Sequence, residues 1–158
     1  MANNIYILKT IDEEIINKLV SIYFSAFNKF NFRNWGPQDF IDLINNRSSI
    51  FYSLSKNKII GFAVVSFNEE FSEIITIAVK SQYQRKKIGK NLLHYIMSNS
   101  DFSGNFILDV AVINTNAIKF YKKFGFKKIA HRKNYYLICN GDNAGHRIDA
   151  VVMQFLLR

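Results

Sequence analysis

The hydrophobic period changes along this chain, and those changes limit the folds it can adopt. Three runs rich in β-branched and aromatic residues, Ile50–Leu54, Ile59–Phe67 and Glu73–Val79, have the length and composition of strands. Lys56-Asn57-Lys58 supplies a hairpin between the first two. On either side the spacing is helical. Ile15, Ile16, Leu19, Ile22 and Tyr23 share one face of a helix that Asp12 can cap. Asn34-Trp35-Gly36-Pro37 opens a second helix through Ile44, with Pro37 suited to its first turn. A strand over Ile5–Leu8 precedes both. Downstream, the pattern predicts a helix over Ile88–Met97, a strand over Phe106–Val112, and a helix over Thr115–Phe124 that Gly125 ends. Lys127–Tyr136 and Asp149–Leu157 alternate as a closing antiparallel pair. The order βααβββαβαββ predicts a mixed α/β sheet in one domain, residues 1–158.

Composition narrows the class. The 158 residues are 49% hydrophobic and 15% aromatic, enough for a dense core. The N-terminus is no signal peptide and no apolar run is long enough for a membrane helix, so a cytoplasmic protein without membrane partners is expected. The single cysteine, Cys139, excludes an intrachain disulfide and a CxxC metal site, and is expected to be buried or inert. No metal is expected. A net charge of +9 attracts phosphates, or else spreads over a solvated surface.

The charge clusters between a strand and a helix. In Val79-Lys80-Ser81-Gln82-Tyr83-Gln84-Arg85-Lys86-Lys87-Ile88-Gly89-Lys90, the cations Arg85, Lys86, Lys87 and Lys90 crowd a helix start. Backbone N–H groups there lack intrahelical partners and suit a diphosphate, although any basic turn looks similar. The segment resembles the acyl-CoA signature Q/R-x-x-G-x-G/A of the GNAT acetyltransferase superfamily. Gln84 and Gly89 match its outer positions, Lys87 stands where the first glycine is usual, and Ser81 replaces a common proline. A second segment, Asn114 to Phe126, is similar to the family's N-x-x-A-x-x-x-Y-x-x-x-G-F pattern at Asn114, Ala117, Tyr121, Gly125 and Phe126. Taken alone, Tyr121 reads as a core aromatic on an amphipathic helix; two motifs in order and at the family's separation favour a functional reading.

The resemblance extends to the ribosomal-protein alanine N-acetyltransferases. Trp35 followed by Phe40 is similar to their W-x-x-x-x-F element. Arg132-Lys133-Asn134-Tyr135-Tyr136 and Asp149-Ala150-Val151-Val152-Met153 resemble their R-x-x-Y-Y and D-A-x-x-M pieces. The intervening loop, Leu137 to Ile148, is a few residues longer than usual and would border the acceptor.

The resemblance implies a GNAT-like, mostly antiparallel sheet flanked by helices, and transfer of acetyl from acetyl-CoA to an amine. The implied acceptor is the α-amine of a protein N-terminus, that of a small-subunit ribosomal protein. Asp109, where the subfamily has Glu, would be the base, one methylene shorter and acting through a water. Tyr121 would return a proton to the CoA thiolate. Backbone N–H groups of Ile77, Ala78 and Val79 would hold the oxyanion. Arg85, Lys86, Lys87, Ile88, Gly89 and Lys90 would hold the diphosphate, and Asn114 the cofactor arm. Trp35, Tyr135 and Tyr136 would line the acceptor side. Two other readings share parts of this pattern: acetylation of a small amine such as a polyamine or antibiotic, and a weakly catalytic acyl-CoA- or RNA-binding module. An aromatic–basic RNA motif is missing, so direct nucleic-acid binding is not expected.

Overall fold

The computed structural model describes residues 4–99, 101 and 104–157. Those residues form seven strands: β1 (Asn4–Ile7), β2 (Ser49–Ser55), β3 (Lys58–Phe67), β4 (Ser72–Val79), β5 (Phe106–Ala111), β6 (Lys127–Leu137) and β7 (Arg147–Phe155). Four α-helices accompany them: α1 (Glu13–Phe27), α2 (Pro37–Asn45), α3 (Ile88–Met97) and α4 (Thr115–Lys123). The expected order βααβββαβαββ is the observed one. The strands form one sheet in the order β1-β2-β3-β4-β5-β7-β6, antiparallel at every junction except β4–β5.

Local chemistry explains the boundaries. The Asp12 carboxylate accepts the Ile15 N–H at 3.0 Å and starts α1. Pro37 occupies the first turn of α2, where Asp39 accepts the Gly36 N–H at 2.7 Å. The β2–β3 hairpin turns through Lys56 and Asn57 at φ 47° and 60°, a two-residue turn with both centres left-handed. Helix α4 closes as a Schellman motif. Gly125 (φ 96°) donates to Lys122 O at 3.0 Å, Phe126 donates to Tyr121 O at 3.1 Å, and the Phe126 ring packs on Tyr121.

The sheet carries a core on each face. Ile16, Leu19 and Ile22 of α1 and Phe40 of α2 pack on Ile50, Phe62 and Val64. On the other face, Ile88, Leu92, Leu93 and Ile96 of α3 and Tyr121 of α4 pack on Ile60, Phe106, Leu108, Val110 and Met153. Edge strand β6 is largely exposed, and Lys127, Lys128, Arg132 and Lys133 discourage pairing with another sheet.

Two irregularities shape the site. In the β3–β4 ladder, Val64 faces Thr76 and Val65 faces Ile74, so Ile75 is an extra, bulged residue. A bulge bends its strand and increases the local twist. The parallel β4–β5 ladder holds only Ser72↔Phe106 and Glu73↔Ile107. β5 instead follows β7 without interruption from Phe106↔Phe155 to Ala111↔Ala150. Beyond Glu73, β4 and β5 therefore diverge. The sequence pattern identified both strands but not their parting.

Helix α3 enters against Gly61 on β3. A Cβ at Gly61 would lie 3.1 Å from both Ala78 O and Ile88 Cγ2 and 3.4 Å from Val79 Cγ2. Ala is expected to be nearly neutral, the crowding offset by the smaller backbone entropy loss. Gly61→Val should destabilise by about 1–3 kcal/mol, because its γ-methyls overpack the same space. Urea denaturation of both variants checks this.

Candidate active site

The parted strands open a cleft of about 180 Å³. Ile74, Ile75, Thr76 and Ile77 of β4 form one wall and Asp109, Val110 and Ala111 of β5 another, with Asn114, Ala117 and Tyr121 at the α4 end. The remaining wall is aromatic: Tyr23 and Phe27 from α1, Phe32 and Trp35 from the α1–α2 connection, and Tyr136 from β6. Tyr23 stacks on Trp35 with ring centroids 4.6 Å apart, and Phe32 stacks on Tyr136 at 5.0 Å. Burial pushes the Tyr23 phenol up to about 12.

Because β4 leaves its neighbour, its edge from Ile74 to Val79 has no ladder partner on the β5 side. Ile77 lies on the cleft wall at that edge, and Ala78 and Val79 continue the strand. Unpaired backbone groups beside an apolar cleft are well suited to a ligand with amides and carbonyls of its own. Tyr121 is 7% exposed, and its hydroxyl finds no hydrogen-bond partner among the described residues. Desolvation raises its pKa well above the ordinary tyrosine value, so the phenol keeps its proton at any working pH. It belongs at once to the core and to the cleft.

Asp109 is gripped from several directions. Arg132 Nε donates to its Oδ1 at 3.0 Å, the Tyr135 hydroxyl donates to its Oδ2 at 3.1 Å, and the Tyr136 hydroxyl reaches its backbone carbonyl at 3.4 Å. The Asp109 side chain is 15% exposed and Arg132 half-exposed, so the pair sits at the mouth of the cleft. Burial, then the Asp109 charge, raise the Tyr135 and Tyr136 phenols. Glu73 joins this group from β4. Its carboxyl is raised from the ordinary value of 4.5 by burial first and by Asp109 second, and is lowered by Arg132.

At the other end of β4, the basic turn leads into α3. Gln84 Nε2 donates to Val79 O at 3.0 Å and ties the turn to the strand. Arg85 and Lys87 both have left-handed backbones, φ 63° and 64°, and Lys87 is the N-cap of α3. The α3 start has no side-chain cap and no acidic residue in its first turn. Arg85, Lys86 and Lys87 are exposed and Lys90 lies in the first turn. A Cβ at Gly89 would meet only Phe120 at 3.7 Å and Val79 at 3.8 Å, so packing alone does not require glycine there.

The structure brings Asp109, Tyr121, Asn114, Ile77, Trp35 and Tyr136 to one cleft. Tyr135 does not line it, but hydrogen-bonds Asp109 at its mouth. Asn114 is the N-cap of α4, its Oδ1 accepting the Ala117 N–H at 3.3 Å, which leaves the Nδ2 donors for a ligand. Cys139 is exposed, not buried, because its loop runs over the surface. The cysteine N–H donates to Asn31 O at 2.7 Å, joining the long β6–β7 loop to the α1–α2 connection. The site also takes in Glu73, Arg132, Tyr23, Phe27 and Phe32, to which the sequence alone assigns no role in it. Only Arg132 carried a signal, its place at the head of R-x-x-Y-Y.

The chain belongs to the acetyltransferase (GNAT) family, whose model matches residues 13–126. Among curated proteins it is similar to the [ribosomal protein bS18]-alanine N-acetyltransferase of Escherichia coli K12, 28% identical over 121 residues, or 75% of this chain and 78% of that protein. The crystal structure of the E. coli ribosomal-protein-S18-alanine N-acetyltransferase superposes with a TM-score of 0.79 at 23% identity, covering 98% of this chain and 93% of that one. A Bacillus subtilis acetyltransferase solved in complex with CoA gives a TM-score of 0.74 at 19% identity, covering 99% of this chain and all (100%) of that one. At these identities the structural likenesses speak to the fold.

A left-handed backbone costs a residue with a Cβ roughly 1–2 kcal/mol. Lys87→Gly removes that strain at a backbone-entropy cost of about 0.5–1 kcal/mol. The variant should be more stable by about 0.5–1 kcal/mol in chemical denaturation, with acetyl-CoA affinity in calorimetry unchanged or improved. A loss of stability would contradict the assigned turn.

Proposed function

We propose that the protein acetylates the N-terminal α-amine of an acceptor polypeptide, with acetyl-CoA as donor. The observation that carries this reading is the parting of β4 and β5, which gathers Asp109, Tyr121, Asn114 and an unpaired strand edge around one cleft. The cofactor fits that frame. The uncapped α3 start with its four cations would hold the diphosphate, and Gly89 leaves its backbone open to close approach. The β4 edge and the Asn114 Nδ2 would hold the pantetheine arm. When bound, acetyl-CoA supplies an activated acetyl thioester.

The chain's residues then divide the proton work. Asp109 would take the amine proton through a water, using lone pairs that Arg132 and Tyr135 leave free, since a carboxylate offers about four acceptor sites. Backbone N–H groups at Ile77–Val79 would stabilise the negative charge that develops on the thioester oxygen. Tyr121, protonated and desolvated, would give its proton to the departing thiolate. An α-amine suits this site better than a lysine, being neutral in a far larger fraction at pH 7 (ordinary pKa ~8 against ~10.4). Arg132 pairs with Asp109 and offsets part of the acid that Asp109 and Glu73 bring to the acceptor side, which favours a polyamine less than two unpaired carboxylates would. For the acceptor we propose a ribosomal protein, on the shared R-x-x-Y-Y and D-A-x-x-M pieces and the named activity of the E. coli relative.

Tyr121→Phe should fold normally and bind acetyl-CoA as before, with turnover down about 10²-fold. An intact rate would return Tyr121 to the core alone. Asp109→Asn should lower kcat/KM at neutral pH on an Ala-starting peptide and recover partly above pH ~8, as the α-amine deprotonates unaided. Equal rates on the same peptide with a blocked N-terminus would refute α-amine transfer. A wild-type pH–rate profile for Asp109→Asn would refute the base.

A further inference from the structure

The β6–β7 ladder breaks at the point that serves the cleft. Arg132 faces Ala150 and Tyr136 faces Ile148, so Lys133, Asn134 and Tyr135 stand opposite Asp149 alone. Two extra residues of β6 must therefore bulge outward. Asp149 fills the bulge. Its Oδ1 accepts the Asn134 backbone N–H at 2.9 Å, and its Oδ2 lies 2.7 Å from His131 Nε2. Asn134 takes φ 52°, a left-handed turn that Asn tolerates better than most residues. The two donors hold the Asp149 carboxyl below the usual carboxylate range.

The ends of the same bulge hold Asp109. Arg132 reaches Oδ1 from one end, Tyr135 reaches Oδ2 from the other, and Tyr136 adds a contact to the backbone carbonyl. In an unbroken strand, Tyr135 would point away from the face shared by Arg132 and Tyr136. Both oxygens of one carboxylate could not then be met by Arg132 and Tyr135 together. The bulge makes that grip possible, and Asp149 is the side chain that holds the bulge shut.

We infer that Asp149 is a positioning residue for Asp109: it fixes the Lys133–Tyr135 bulge so that Arg132 and Tyr135 orient the Asp109 carboxylate toward the acceptor amine. This rests on the reading of Asp109 as the acceptor-side base. It gives the two C-terminal sequence pieces, Arg132–Tyr136 and Asp149–Met153, a single shared purpose.

Asp149→Ala should lower kcat/KM for the peptide about tenfold, the scale of one lost charge-assisted hydrogen bond, while KM for acetyl-CoA stays within twofold. Asp149→Asn, which keeps an acceptor for the Asn134 N–H, should recover most of the rate. In an Arg132→Ala/Tyr135→Phe background, adding Asp149→Ala should change the rate less than twofold, because the groups it positions are gone. Equal fractional losses in both backgrounds, or a parallel loss of acetyl-CoA affinity, would reduce Asp149 to a general stability role and overturn the inference. A readout without acceptor separates this from the functional reading. The ring 13C signal of Tyr135 in the free protein, assigned by its absence in Tyr135→Phe, should move in Asp149→Ala to the position it takes in Asp109→Ala, where the hydroxyl has lost its acceptor, and stay in place in Asp149→Asn. An unmoved signal in Asp149→Ala overturns the inference even if peptides are acetylated. A moved signal with no peptide acetylated supports it and refutes the proposed function instead.

Discussion

Two backbone pairs between β4 and β5, and none beyond them, create everything else in this site. A parallel ladder that continued would seal the sheet and fill the cleft with backbone hydrogen bonds. Here Ile75 bulges on the β3 side of β4, while six consecutive pairs bind β5 to β7, so the two strands are pulled apart from opposite sides. The gap is lined by apolar side chains and by a strand edge that no other strand satisfies. Helix α4 closes one end with Asn114 and Tyr121, and the α3 start lies just past the end of β4. The fold thus leaves polar backbone unpaired at one place and sets a basic helix start beside it.

The cleft has two ends of different character. Toward α3 the charges are positive and exposed, with no carboxylate in the first turn to cancel them. Toward β6 the charges are mixed and partly buried: Asp109 is paired with Arg132 and hydrogen-bonded by Tyr135, and Glu73 stands near enough for its carboxyl to be raised. Between them lies Tyr121, buried and without a polar partner among the described residues. A phenol so placed holds its proton in the resting site. The aromatic wall of Tyr23, Trp35, Phe32 and Tyr136 backs the cleft with apolar surface, and low local polarity strengthens electrostatic contacts beside it.

Much of this was legible in the sequence, for identifiable reasons. Helices α1 and α3 carry clean periods, strands β2, β3 and β4 are β-branched and aromatic runs of strand length, and Asp12, Pro37 and Gly125 mark boundaries with short-range chemistry that depends on few neighbours. Asn114, Tyr121 and the Arg85–Lys90 turn were recognisable because family motifs are local spacings. What stayed hidden depends on pairing between distant segments. The Ile75 bulge appears only when β3 and β4 are aligned, and the Lys133–Tyr135 bulge only when β6 meets β7. Glu73 reads as an ordinary strand residue until β5 brings Asp109 beside it. Lys87 concealed its left-handed turn because the glycine that announces such turns is missing.

We propose that the unpaired β4 edge and the α3 start together receive acetyl-CoA. Amide hydrogen exchange measured with and without acetyl-CoA tests it most directly. Slowed exchange is expected in the β4 segment Ile74–Val79, the Arg85–Lys90 turn and the α4 start at Asn114–Ala117 alone, with edge strand β1 unaffected. Unchanged exchange along β4 at saturating acetyl-CoA, or protection elsewhere in its place, would contradict it.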